Sequence, residues 1–490
     1  MPTVLLIPAV ARTRFVFFSR HFHMNPPTKS THRQRLAVLA VLCGCIVAAD
    51  RAHAASNIFS GPDQQTPGAV SQNAPNPLSP EGLNDARHSI FERDLLLGDF
   101  NGAREQLLFK GVSISPNYIG EVMGNPTGGL SRGVTYDGVL NVPLDVDLER
   151  VTGFLHDLTF HANALWIHGQ GLSTRHVGDF SNTSNIAGYN TVRLQELWFE
   201  QQLWRKRISL RAGVLAADAE FFTTGYGSLF LNGTFGAFTL VGANLPDPPI
   251  YPVAAPGVRL EIRPVSKFLL RAGIFGGDSG GSQDQNNHGT NFNLRSRDGA
   301  LVFSEINFFL NQSPGERGLV GTYKLGAFVH TGGANLPTFT SQTNAALGVS
   351  GIRNASSNYG IYGVIDQQLL RAGGRSVGAF LRVGGAPSDV SFVDFYVDGG
   401  FNFTGFVPGR PIDVLGLAVA HSSVSGKFSD SQRLQGLPGF SAETVLEATY
   451  RLILAPWWNV QPDLQYIFHP GGQHGSHDAL VLGMRTSVAF

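Results

Sequence analysis

The residues of this chain that could do chemistry are arginines and carboxylates in alternating stretches. Every second residue of Arg259–Arg263 is charged, and Ala216–Phe222 carries two acids followed by two phenylalanines. Guanidinium and carboxylate groups donate and accept directed hydrogen bonds, and aromatic rings cover C–H surfaces. These residue types favour non-covalent recognition of a hydroxyl-bearing solute. The candidate binding residues are Glu196, Glu200, Arg211, Asp218, Glu220, Phe221, Phe222, Arg259, Glu261, Arg263 and Arg271.

Two interpretations of the charged candidates stay open. In the first, side chains of both signs pair along a wet wall and only hold the structure together. In the second, a basic track faces acidic residues across a constriction, and the resulting field favours dipolar neutral solutes over ions. The sequence does not distinguish the two.

Covalent and metal chemistry find little support. His161 and His168 are seven residues apart on a predicted strand, which places them on opposite faces and argues against a shared metal. The glycine-rich stretch 276–281 lacks the strand-to-helix context of a phosphate cradle. An acyl-hydrolase site would need a serine and a histidine of matching parity on adjacent strands, and no convincing pair is found. We therefore expect no catalytic residue, no metal and no cofactor.

The elements that must position these residues are strands. From residue 112 to the end, runs of about 7–15 residues alternate between apolar and polar side chains, a pattern typical of strands with two different faces. The predicted strands number sixteen and span 112–122, 133–147, 156–168, 190–203, 207–215, 257–263, 267–276, 299–310, 318–331, 358–370, 375–385, 390–403, 411–422, 442–454, 457–469 and 479–490.

The spacers between the strands point to a membrane barrel. Short spacers alternate with long ones, as periplasmic turns alternate with external loops in outer-membrane barrels. The last strand, Ala479–Phe490, places mainly apolar residues on one face and small or polar residues on the other. A sheet in lipid must close on itself, because hydrocarbon leaves no partner for a free edge. The sequence therefore predicts an antiparallel transmembrane β-barrel of about sixteen strands over 112–490, with a polar, water-filled lumen.

The longest external spacer that carries candidate residues is 216–256. It is rich in aromatic side chains and ends in a proline-rich stretch, 246–252. A loop this long and this apolar buries its aromatic rings most economically by folding into the lumen. We expect it to form the narrowest part of the barrel.

The N-terminus has the pattern of an export signal. Two arginines precede an apolar run at 36–49, and Ala52-His53-Ala54 fits a cleavage site. The prediction is a signal peptide at 1–54, with Met24 as an alternative start. The less favoured alternative is a lipoprotein cleavage site at Leu42-Cys43-Gly44-Cys45.

Removal of that segment has two consequences. It takes away both cysteines, and it takes away seven basic residues but one acidic residue, which leaves the mature chain mildly acidic. An acidic exported chain argues against nucleic acid as a partner. The next segment, 55–97, is rich in Pro, Gly, Asn and Ser and is predicted to be flexible, whereas 98–111 is predicted to be a short helical brace or plug.

Several motifs occur in an order that resembles the carbohydrate-selective porin (OprB) family. They are Gly98-Asp99-Phe100-Asn101-Gly102, Tyr136-Asp137-Gly138, Glu196-Leu197-Trp198-Phe199-Glu200-Gln201, Ala216-Ala217-Asp218-Ala219-Glu220-Phe221-Phe222, Glu443-Thr444-Val445-Leu446-Glu447 and Gln461-Pro462-Asp463-Leu464-Gln465-Tyr466. The resemblance covers about 98–490. It implies a Gram-negative outer-membrane barrel of sixteen strands through which small neutral sugars diffuse passively, with loops folded inward to narrow the pore.

The resemblance also sets expectations about partners. We expect the barrel to contact the lipid bilayer and lipopolysaccharide, and Phe490 to engage the outer-membrane assembly machinery. A homo-oligomer is one alternative for its oligomeric state. The competing functions are a general diffusion porin and an outer-membrane receptor or adhesin with a closed lumen.

Overall fold

The computed structural model describes residues 89–280, 286–332, 336–337, 354–355, 357–434 and 436–490. The predicted signal peptide, residues 55–88 of the predicted flexible segment and parts of the external spacers after 280 and 332 lie outside the described residues.

Sixteen antiparallel strands form one closed sheet. Each pairs with its neighbour in the chain, and the last pairs with the first from Leu480↔Thr127 to Ala489↔Asn117, so the barrel has no free edge. This confirms the predicted fold. The strands are β1 Asn117–Thr127, β2 Gly133–Asp147, β3 Leu158–Gly169, β4 Thr191–Leu203, β5 Ile208–Leu215, β6 Ala255–Val265, β7 Phe268–Gly276, β8 Ala300–Leu310, β9 Gly321–His330, β10 Asn358–Ala372, β11 Arg375–Gly385, β12 Val393–Thr404, β13 Val414–Val424, β14 Ala442–Ala455, β15 Trp458–Phe468 and β16 Ala479–Ala489.

The start of the first strand was predicted about five residues too early. Val112–Ile114 forms a separate short strand that pairs with the periplasmic half of β2, and β1 begins only at Asn117. Pro116 lies between them, and a proline has no N–H to donate to a strand ladder. The same residues therefore form two strands where alternation alone predicts one.

Short helices and turns lie outside the sheet. The α-helices are Ala103–Phe109, Leu148–Thr152, Gly233–Gly236, Thr239–Gly242 and Gly426–Leu434; the 3-10 turns are Ala217–Ala219, Gly227–Leu229, Ser296–Asp298 and Pro470–Gly472; Ser173–Val177 is a π-turn; and Leu336–Pro337 pairs with Asn354–Ala355. No helix within the described ranges has the length and hydropathy needed to cross a bilayer.

The described residues that precede the barrel, from 89 onward, pack against its periplasmic end. The Trp457 indole N–H donates to the Ile90 carbonyl at 2.7 Å, and Leu96 N–H donates to the Ala489 carbonyl at 3.0 Å. The helix Ala103–Phe109 follows and leads into the short strand. These contacts place residues 89–114 at the end of the barrel where β1 begins and β16 ends.

The two faces of the strands follow the predicted parity. On β16, Leu482 and Met484 are half exposed toward lipid, whereas Val481 and Arg485 are buried inside the barrel. A charge on the lipid side near the midplane would cost about 2–4 kcal/mol, which keeps arginine on the inner face.

In the external half of the barrel, the polar lumen predicted from the strand pattern is interrupted by apolar side chains. There the wall presents apolar side chains inward, among them Leu301, Phe303, Phe328, Ile467 and Val481, and each is essentially fully buried. They pack against aromatic and aliphatic side chains of the loop between β5 and β6. The apolar side chains of the wall and the loop form a core in this external half, among buried polar residues such as Glu443 and Gln465, because the inward loop must bury its own apolar surface against the wall.

Candidate functional site

The strand register brings most of the charged candidates together on the wall below the inward loop. Glu200 on β4 pairs with Arg211 on β5, and Arg211 pairs with Arg259 on β6. One level closer to the periplasm, Glu261 on β6 pairs with Arg271 on β7, which pairs with Glu305 on β8. Directly opposed residues on one face of a sheet have neighbouring side chains, so these five strands carry one continuous charged network.

Glu220, from the loop, completes this network. Its carboxylate lies 2.7 Å from Arg211 Nη1, 2.6 Å from Arg259 Nε and 3.3 Å from Arg271 Nε. Burial alone would raise the pKa of the Glu220 carboxyl, but the three guanidinium groups outweigh burial and hold its pKa below the ordinary value. Glu220 is therefore an anion on the loop that neutralises cations on the wall.

Arg211 is held on its other side by the barrel itself. Its Nη2 lies 2.5 Å from Glu200 Oε2, and its guanidinium stacks 3.7 Å from the centre of the Trp198 ring. Ser209 joins the same group, since its hydroxyl donates to Glu200 at 2.6 Å. A guanidinium that is both paired and stacked keeps one orientation.

The charged side chains divide by exposure. Those of Arg259, Arg271 and Glu305 are at most 4% exposed. Arg211, at 18%, and Arg263, at 35%, retain solvent contact. Among the acids, Glu200, Glu220 and Glu261 are exposed to 13%, 12% and 17%. Four arginines and four glutamates make up the network, so its formal charges balance.

Two of the predicted acids lie at the neck of the loop. Asp218 accepts from Tyr251 N–H at 2.8 Å, which joins the start of the loop to its end, and Glu196 accepts from Ala216 N–H at 3.1 Å. Burial raises the pKa of the Asp218 carboxyl to about 7, although the hydrogen bond from Tyr251 opposes this shift. Both acids bind backbone rather than the arginines.

Phe221 and Phe222 follow Glu220 directly and are fully buried. Phe221 stacks on Phe303, and Phe222 stacks on Phe238 and meets Tyr362 edge-on. Their faces are covered by other rings. These two side chains anchor the loop in the apolar core.

The sequence Leu-Arg-Ala-Gly occurs three times, at 210–213, 270–273 and 370–373, and its first two copies lie at the site. In β5 and β7 its arginines are Arg211 and Arg271, and its glycines, Gly213 and Gly273, face the lumen two residues away. A Cβ at Gly213 would lie 2.6 Å from the Trp198 Cα, and one at Gly273 would lie 3.1 Å from the Phe221 ring. Gly213 therefore allows the close approach of the β4 backbone at Trp198, and Gly273 makes room for the Phe221 ring. The third copy ends in the turn at Gly373, where the glycine has a positive φ of 57°.

A bulge in β4 changes which residues face inward. Asn163 pairs with Glu196 and Ala164 with Leu194, so Gln195 is an extra residue on β4. Because of this insertion, Arg193 and Glu196 are both buried on the lumen side although they differ in parity. Regular alternation would place them on opposite faces.

The two histidines lie on opposite faces of β3. His161 faces inward, 2.8 Å from Asp145 and stacked on Trp198, whereas His168 contacts Tyr118 and Trp166 on the outer face.

Sequence reasoning missed several inward residues of the site. Glu305 lies in a predicted strand and faces inward. The alternation of inward and outward residues along that strand could therefore have identified it. Arg382 and Asp398 lie on β11 and β12 among apolar and small neighbours and form a buried ion pair, and Arg382 contacts the inward loop. Nothing in their local sequence separates them from other charged residues on strands.

The sequence and the fold match a known family of proteins. A family model described as carbohydrate-selective porin, OprB family, matches residues 131–490. The chain belongs to the carbohydrate-selective porin (OprB) family. Members of this family are porins of the Gram-negative outer membrane that carry carbohydrates, and this porin has the same location and function.

Individual relatives agree with the family. The chain is 25% identical to Porin B of Pseudomonas aeruginosa over 443 residues, which covers 84% of this chain and 95% of the relative. It is 22% identical to the putative porin QuiX of Acinetobacter baylyi, covering 81% and 94% of the two chains. A high-pH structure of Pseudomonas putida OprB superposes with a TM-score of 0.75 at 25% identity and covers 82% of this porin and all of that chain.

Proposed function

We propose that this porin selects its solutes where the inward loop meets the charged wall. The observation that carries the proposal is the position of Glu220, which projects from the loop onto three wall arginines. Partly exposed groups surround that contact, namely Arg211, Glu200, Glu261 and Arg263. They form the polar surface that a passing solute meets.

The balance of charge favours a neutral, hydroxyl-rich solute. Each accessible arginine offers N–H donors and each accessible glutamate offers acceptors, which together match the mixed donors and acceptors of a sugar hydroxyl. An ion of either sign finds an opposite charge beside it but also a like charge a few ångströms away. Selection for small neutral sugars over ions follows from this pairing.

Transport needs no energy input in this proposal. The solute moves down its gradient along fixed side chains, and no covalent step is required. The buried members of the network, Arg259, Arg271 and Glu305, hold the accessible members in place. Asp218, Glu196, Phe221 and Phe222 support the loop rather than touch the solute.

Liposome swelling with the purified protein tests the proposal. Mono- and disaccharides are compared with charged solutes of similar size, and single-channel conductance is recorded in parallel. Fast entry of neutral sugars with low ionic conductance is the expected result. Equal rates for all solutes would favour a general diffusion porin, and no flux at all would favour a receptor with a closed lumen.

A further inference from the structure

Residues 222–236 of the inward loop cross the lumen, and side chains of the opposite wall hold them along their length. The contacts come from seven strands, so the segment is suspended inside the barrel rather than attached at its ends alone. The wall side chains that bind this segment are Glu305 on β8, Lys324 on β9, Asp366 on β10, Arg382 on β11, Tyr396 and Asn402 on β12, Glu447 on β14, and Gln461 and Gln465 on β15.

Arg382 makes the largest set of these contacts. Its guanidinium donates to the Thr234 and Phe235 carbonyls at 2.8 and 2.9 Å, and to the Gly236 and Phe222 carbonyls at 3.4 and 3.3 Å. Phe222 lies on the outgoing limb of the segment and 234–236 on the returning limb. One side chain therefore ties the two limbs together.

The charge of Arg382 is compensated on the wall. Asp398, directly opposite on β12, accepts from Arg382 Nε at 3.1 Å and also pairs with Nη2. Both side chains are completely buried. The pair carries no net charge, so the remaining N–H donors of the guanidinium are free to bind carbonyl groups that have no helix or strand partner.

Carboxylates hold the part of the segment that Arg382 does not reach. Asp366 accepts from the Gly225 and Tyr226 N–H groups at 3.0 and 3.3 Å. Glu447 accepts from the Leu231 and Asn232 N–H groups at 2.6 and 3.0 Å. The arginine binds carbonyls and the acids bind N–H groups, which matches the two polarities of a backbone without regular structure.

At the attachment made by Asp366 the segment presents a small accessible tip. Gly225 is exposed, and Tyr226 and Ser228 are half-buried, in a stretch where most neighbours are buried. The tip is the part of the segment that a solute can reach, and its position depends on both limbs.

We propose that Arg382 is the positioning residue of the constriction: by tying the limbs at Phe222 and 234–236 it sets where residues 225–228 stand in the lumen. The loop is then a fixed wall of the pore rather than a lid. Arg382 acts through the backbone it holds and does not touch the solute. This inference rests on the proposed function only in taking the inward loop as the constriction.

The test uses the full mature porin with the double substitution Arg382→Met/Asp398→Asn, which removes the donors without leaving an unpaired buried carboxylate. Arg382→Lys is a second variant, since lysine retains the charge but lacks the planar fork of donors. The matched control is Arg410→Met/Asp413→Asn, because that pair lies 2.7 Å apart at a periplasmic turn and none of its described contacts reaches the inward loop. Barrel folding is checked by heat-modifiable migration in gels.

Two measurements report on the loop. Single-channel recordings give conductance and open-channel noise. A spin label on Ser228→Cys gives the local mobility of the tip, since the mature porin without residues 1–54 has no other cysteine. We expect the conductance of the double variant to be about twofold or more above that of the parent, with more open-channel noise and a more mobile label. Arg382→Lys should give values between those of the parent and the double variant. The control should match the parent in both measurements.

Unchanged conductance, noise and label mobility in the folded double variant would overturn the inference. If the double variant does not fold, the conductance, noise and label mobility of Arg382→Lys provide the test. Parental values of all three in that variant would also overturn the inference. Failure of the proposed function looks different. In that case the parent itself shows no preference for sugars in liposome swelling, whatever the Arg382 variants do to conductance and label mobility.

Discussion

The carboxylate of Glu220 lies 2.6 Å from Nε of Arg259, so a residue of the inward loop neutralises a residue of the barrel wall. The same carboxylate reaches two further arginines on neighbouring strands. Loop and wall therefore share one charge network, and changing either side should alter the other.

Replacement of Glu220 with glutamine should make the pore more selective for anions. The substitution keeps the shape of the side chain but leaves the buried arginines with one negative charge fewer, and we expect it to destabilise the barrel by about 1–3 kcal/mol. The reversal potential in a salt gradient measures the selectivity. Glu149→Gln, on an exposed periplasmic turn, is the control and should behave like the parent. An unshifted reversal potential for Glu220→Gln would place Glu220 outside the conduction path.

Arg263→Ala should shift selectivity in the opposite direction, toward cations, with folding intact. Arg263 is the most exposed arginine of the network and has one ion-pair contact, to Glu261 at 3.3 Å. Its loss therefore removes a positive charge from the pore and leaves the ion pairs of the buried arginines intact. The control is Arg205→Ala in the exposed turn between β4 and β5. Equal reversal potentials for the two variants would remove Arg263 from the pore lining.

Gly213→Ala should impair folding of the barrel. At Gly213 the backbone has a positive φ of 149°, and a Cβ would lie 2.2 Å from the Leu197 carbonyl oxygen and 2.6 Å from the Trp198 Cα. The strand would have to shift, and the Trp198 ring on which Arg211 stacks would shift with it. The yield of folded barrel from heat-modifiable gels measures the effect. Gly363→Ala should give parental yield, because its Cβ would meet nothing closer than 3.8 Å.

Asp218 should make the barrel less stable as the pH rises. Burial raises the pKa of its carboxyl to about 7 from 3.8, so the folded porin favours the protonated form. The stabilisation is fully present below about pH 4 and is lost as the pH rises through about 7, where the buried carboxyl must ionise next to Glu196. Asp218→Asn should flatten this dependence.

The measurement for Asp218 is the midpoint of heat unfolding in gels over this pH window. Asp430→Asn, on the exposed external helix Gly426–Leu434, is the control and should retain the slope of the parent. A parent whose midpoint does not fall between about pH 4 and 8 would contradict the prediction.

Much of the fold could be predicted from the sequence because a membrane strand must satisfy two environments at once. Lipid on one side and the barrel interior on the other impose a period of two, and Arg259, Glu261 and Arg263 show that period directly. The number of strands and the inward course of the loop follow from the same alternation and from the lengths of the spacers. The candidate residues were also identifiable, because charges of one parity have to face inward.

The partners of those residues depended on the tertiary structure. The bulge at Gln195 moves Glu196 and Trp198 to the lumen side of β4, and a bulge depends on how β3 and β4 pair rather than on local composition. The contacts of Glu220 with three arginines, and of Arg382 with carbonyls about 150 residues earlier in the chain, form only when the barrel closes around the loop. Alternation along one strand determines which face a side chain occupies. Which side chain it meets is decided by register and closure, and these are set by contacts between distant parts of the chain.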